Sequence, residues 1–133
     1  MIHITNIDIY RTSILFFVGI DENELDAFYE ENKHRMDYDV YKGLREDIVN
    51  EDSCNGCTCA ANKAKDVVVF IRKGQEYVDC VVIHEIYHAI NRVLMERGVN
   101  HDIDDEPFAY LLGYVTNDYF LALEDAKKEK ETP

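Results

Sequence analysis

From Glu76 to Arg97 the chain carries its longest run of apolar residues at helical spacing, closed by Gly98 as a C-terminal cap. A helix with an apolar face that wide must bury it against another layer. The segment just before it, Asp66 to Ile71 (DVVVFI), reads as a strand and is ended by Arg-Lys-Gly. Near the N-terminus, Ile2 to Tyr10 alternates loosely, Ser13 to Gly19 is uniformly apolar, and Arg11 and Thr12 lie between them. These are two strands, or one long strand with a break, the second largely buried.

Asp21 to Met36 reads as a surface helix. Asp21 with Glu24 resembles a capping box, and Leu25, Phe28 and Tyr29 form a narrow apolar stripe. Asp37 to Lys65 is irregular, with a short helix expected near Tyr41 to Ile48 and then a loop without periodicity. Glu106 to Lys127 is the last helix, with Pro107 in its first turn, and residues 128–133 are expected to fray. The order implies an α+β fold in a single domain over 1–133. Its sheet is expected to be small, mixed or antiparallel, with helices on one side. A length of 133 residues suits one core.

Charge excludes some functions. Lys and Arg number 14 against 27 Asp and Glu, a formal net charge of -13. Such a chain repels phosphate, so neither nucleic acid nor an anionic membrane is an expected partner. The longest apolar run, Ile14 to Val18, is too short to span a bilayer, and no secretory leader is evident, so a cytoplasmic location is expected. Cys54, Cys57, Cys59 and Cys80 are then expected to be free thiols.

Within the long helix stands HEIYH, residues 84–88. Residues four apart share one helix face, about 6 Å apart along the axis, so His84 and His88 can both reach one metal ion. Glu85 is turned about 100° from His84, beside the metal, where it can hold a water and take its proton. Ile83, Ile86, Tyr87, Ile90, Val93 and Leu94 make the apolar face, with His84, His88 and Asn91 on another. The bland alternative is a pair of helix-edge histidines beside a solvated Glu85. The preceding strand, DVVVFI, is the expected neighbour of the metal and could offer backbone groups to an extended peptide.

A catalytic zinc needs a third protein ligand and an open position. His101, Asp102, Asp104, Asp105 and Glu106 are the candidates downstream. Glu106 is favoured because it opens a helix, where the dipole holds a carboxylate. The seventeen residues between His88 and Glu106 also leave room for two helical turns, a loop and a return. Its competing role is an ordinary helix-start acid, and Asp105 is a candidate for orienting a histidine from behind.

HEIYH followed by EPFAY resembles the gluzincin pattern, H-E-x-x-H with a downstream E-x-x-A, which Glu106 and Ala109 match. The short acidic chain and its DEPFAYLLGYV ending look most like the small uncharacterised zincin-like proteins of phages and their bacterial hosts. The resemblance covers roughly residues 66–120. It implies a minimal zincin-like fold, one Zn2+ held by His84, His88 and Glu106, and Glu85 as general base. It also implies an oxyanion-stabilising Tyr or His, for which Tyr110 and Tyr87 are candidates. Both of these tyrosines are otherwise expected to pack in the core.

The expected function is therefore a zinc-dependent metallopeptidase, a hydrolase acting on a peptide or protein substrate. The alternative is a catalytically weak or inactive zincin-fold binding or accessory protein of phage or mobile-element origin. CNGCTC, with thiols at 54, 57 and 59, could hold a structural metal if Cys80 supplied a fourth ligand. Otherwise it is a loop of reduced cysteines beside a turn at Asn55-Gly56.

Overall fold

In the computed structural model, residues 1–63, 66–100 and 105–131 are described. The chain forms an α+β fold around a four-stranded mixed sheet. β1 (Ile2–Ile7) and β2 (Thr12–Val18) make an antiparallel hairpin, with a 3-10 turn and Arg11 at φ 51° between them. The break expected at Arg11 and Thr12 is this turn. α1 (Glu22–Glu31) begins at Asp21 with a complete capping box, Glu24 N–H donating to Asp21 and Asp21 N–H to Glu24. α2 (Tyr38–Val49) is longer than its sequence suggested. β3 (Gly56–Ala60) follows, then β4 (Val67–Ile71), α3 (Asp79–Glu96) and α4 (Glu106–Glu131).

Strand order is β1-β2-β4-β3, with β2 and β4 parallel and both outer pairs antiparallel. The expected placement of the helices on one side is wrong. Ile14, Phe16, Val18, Val67, Val69 and Ile71 face α3 and α4. Leu15, Phe17, Val68 and Phe70, the alternate residues of the same strands, pack with Leu25 of α1 and Leu44 of α2. Central strands that are apolar at every position must be covered on both faces.

Two further expectations are corrected. The sequence suggests a loop where β3 lies, because GCTCA lacks large apolar residues; its alternation is of small residues with cysteines. The helix at the C-terminal end runs through Glu131 rather than fraying from 128. Ala, Lys and Glu are strong helix formers, and Lys128 and Lys130 sit where the dipole favours cations. The cap at the end of α3 is as expected. Gly98 has φ +72°, and Val99 N–H and Gly98 N–H donate to Leu94 and Met95 carbonyls in a Schellman arrangement.

Candidate metal centre

α3 presents two faces at the HEIYH segment. Val82, Ile86, Ala89, Ile90, Val93 and Leu94 are buried in the core shared with the sheet and α4. His84 and His88 are exposed, one turn apart. Their Nε2 atoms are 3.1 Å from each other, with the rings edge-on at 4.6 Å between centroids. Two nitrogen ligands on one tetrahedral ion, bonded at 2.0–2.1 Å, stand about 3.3–3.4 Å apart. The pair is thus within about 0.3 Å of a chelating geometry, a spacing that also suits an N–H···N bond between neutral rings.

Glu85 is not the solvated acid of the bland reading: it is only 5% exposed. It sits between α3 and β3, where Thr58 Oγ1 donates toward both Glu85 Oε1, at 3.2 Å, and the Glu85 carbonyl oxygen, at 3.1 Å. Gly56, on the same face of β3, makes room for it. A Cβ there would stand 3.0 Å from Glu85 Cγ and 3.0 Å from the Phe70 carbonyl oxygen. The sequence does not single out Thr58, and it points to Gly56 only as part of a turn with Asn55. The period-two pattern Gly56-Thr58-Ala60, set against Cys57-Cys59, was the available signal.

The histidines and Glu85 line a cleft of about 790 Å³ between α3 and β3. Asn55, Gly56, Cys57 and Thr58 form one wall; Cys80, Val81, His84, Glu85, His88, Asn91, Arg92, Met95 and Glu96 of α3 form the other. Arg92, one turn beyond His88, is the only Lys or Arg in the lining among the described residues. The strand beside the motif is therefore β3. β4, expected in that role, is hydrogen-bonded to strands on both sides and has no free edge. β3 pairs with β4 alone and is an edge strand.

Glu106 is the first residue of α4 and is exposed. The turn that carries it lies beside the motif, since Phe108 packs edge-to-face on Tyr87 with centroids 5.0 Å apart. Glu106, His84 and His88 nevertheless do not form a group whose donor atoms all lie within 4.8 Å of one another. Asp105 gives its carbonyl to Ala109 N–H and starts the helix. His101, Asp102 and Asp104 lie outside the described residues. Tyr87 and Tyr110, expected in the core, are 44% and 70% exposed, and neither lines the cleft. They fall on the outer faces of α3 and α4, and Tyr110 stacks on Tyr114. Cys80 is also exposed.

Comparison with protein-family models, with curated proteins and with solved structures finds no match to this chain. Among the described residues, no helix is long and apolar enough to cross a membrane.

Proposed function

We propose that the chain is a small zinc-dependent metallopeptidase of the gluzincin type, with the α3–β3 cleft as its active site. One arrangement carries the reading: two imidazoles at chelating distance, on the wall opposite an open strand edge, with a glutamate buried and anchored between the walls. His84 and His88 would hold the ion, with Glu106, at the start of α4, as the proposed third ligand. A bound zinc supplies a Lewis acid that activates water and polarises a carbonyl. Glu85 takes the proton of the attacking water and hands it to the leaving amine. Thr58 keeps the Glu85 carboxylate turned into the cleft. β3 binds an extended peptide through its unpaired backbone groups, and Arg92 offers a positive charge to a carbonyl or carboxylate of that peptide.

The test is metal content and turnover together. Protein purified without added metal should carry zinc at the paired histidines, and His84→Ala or His88→Ala should abolish that binding. Glu85→Gln should keep the metal and lose hydrolysis of a mixed peptide library by at least about 100-fold. Absence of metal at the histidines would sink the reading. Metal binding with no cleavage by the wild-type chain would instead favour the binding or accessory role.

A further inference from the structure

A second group of metal-binding side chains lies at the end of β3 on the opposite face of the sheet. Asp47, in the last turn of α2, and Cys54 and Cys57, on either side of Asn55 and Gly56 at the start of β3, bring one carboxylate oxygen and two sulfurs within 4.8 Å of one another. Cys57 Sγ donates to Asp47 Oδ2 at 3.9 Å. Sulfur and oxygen ligands of one tetrahedral zinc stand about 3.6 Å apart, given bonds near 2.3 and 2.1 Å. All three residues are half-buried, so the donors are partly sheltered from solvent.

We infer that Asp47, Cys54 and Cys57 form a thiolate-rich site for zinc, separate from the paired histidines, that clamps the start of β3 to the end of α2. The loop that carries it is already ordered. The Arg72 guanidinium donates to the carbonyl of Cys54, to the carbonyl of Asp47 at 2.6 Å and that of Asn50 at 3.2 Å, and to Ser53 Oγ at 2.9 Å. The Arg72 backbone N–H donates to the Asn55 carbonyl at 2.9 Å. One cation just beyond β4 thus fixes the backbone on either side of Cys54, so little ordering is left there for a metal to impose. Soft sulfur donors select zinc over magnesium or calcium. Cys80, the fourth ligand considered from the sequence, does not belong to this group; the third donor is Asp47. Burial pushes the Cys57 thiol upward, with Cys59, Cys54 and Asp47 adding to the effect.

Cobalt reads this site directly, because sulfur ligation gives a near-ultraviolet charge-transfer band that imidazole and carboxylate ligation lacks. The protein is the full reduced chain carrying His84→Ala and His88→Ala, so the result does not depend on the proposed active site. One equivalent of cobalt should develop the band, and zinc should bleach it by displacement. Cys54→Ser or Cys57→Ser should abolish it. Asp47→Asn, which changes no volume, should weaken cobalt binding at least tenfold, with the far-ultraviolet circular dichroism unchanged. Cys59→Ser and Cys80→Ser should leave the band intact. The assignment is overturned by absence of the band, by its persistence without Cys54 and Cys57, or by its loss on replacing Cys59 or Cys80. An unaltered cobalt affinity in the folded Asp47→Asn chain would also overturn it.

Discussion

Replacing Thr58 by Val tests whether β3 holds Glu85 in place. The two side chains have nearly the same shape, so the change removes a hydroxyl and little else. Thr58 has one hydroxyl proton, and it faces two acceptors at 3.1 and 3.2 Å, the Glu85 carbonyl and Oε1. The loss therefore counts as one shared hydrogen bond rather than two. With a charged acceptor that is worth about 1.5–3 kcal/mol. Because Glu85 is only 5% exposed, water does not readily take the donor's place. For a chain of this size, a loss near 2 kcal/mol corresponds to a fall of roughly 6–10 °C in melting temperature. Thr58→Ser keeps the hydroxyl and should lose much less. Urea denaturation of the three proteins at pH 7, together with the Thr58→Val/Glu85→Gln double-mutant cycle, isolates the pairwise part. If Thr58→Val unfolds within about 0.5 kcal/mol of the wild type, or if Thr58→Ser is equally damaged, the bond does not hold Glu85.

Gly56→Ala places a Cβ 3.0 Å from both Glu85 Cγ and the Phe70 carbonyl oxygen, so it should destabilise by about 1–3 kcal/mol and impair turnover while metal content is kept. Denaturation and metal analysis of one preparation check both parts. At Gly98 no contact within 4 Å of the added Cβ is found among the described residues, but φ is +72°, so Gly98→Ala should cost about 1–2 kcal/mol from backbone strain alone. A melting curve indistinguishable from wild type would contradict this. Asp26 accepts from the Tyr41 hydroxyl first and from Arg45 second, and both hold its carboxyl below the usual carboxylate range. A carboxyl with a lowered folded-state pKa adds stability above its unfolded value of about 3.9 and loses it as pH falls through the folded value. Asp26→Asn should therefore flatten the decline in urea midpoint below about pH 4, and an unchanged acid limb would argue against the contribution.

What the sequence revealed divides along physical lines. Elements with strong local signals were legible: the Asp21–Glu24 capping box, the Gly98 cap, the apolar runs of β2 and β4, and the helical period of α3. The two-sided burial of the sheet was also encoded, since Ile14 to Val18 and Val67 to Ile71 are apolar at every position. That pattern calls for cover on both faces, so the expectation of one-sided helices was a misreading rather than a gap. β3 was not legible. Gly56 and Thr58 are small on one face because Glu85 and α3 press against them, and that demand is tertiary. The tyrosines failed for the opposite reason. Tyr87 and Tyr110 have the residue type of a core but lie on the outward sides of their helices, which aromatic preference alone does not reveal. The histidine pair needed only the i, i+4 rule; the burial of Glu85 needed the strand beside it.

β3 therefore matters beyond its five residues. Its side chains alternate, so Thr58 faces Glu85 across the cleft while Cys57 faces Asp47 on the other side of the sheet. A slip of one residue would exchange these faces, setting a cysteine against the Glu85 carboxylate and Thr58 among the sulfur donors. An edge strand with one partner and no large apolar side chains has little packing of its own to prevent such a slip. The register is instead held at the ends. Arg72 grips the Asn55 carbonyl and the carbonyls around Cys54, and Ala61 N–H donates to the Asp66 carbonyl at 2.7 Å. The alignment of Glu85 in the cleft thus depends on hydrogen bonds made on the far side of the sheet, at the loop where Cys54 and Cys57 meet Asp47.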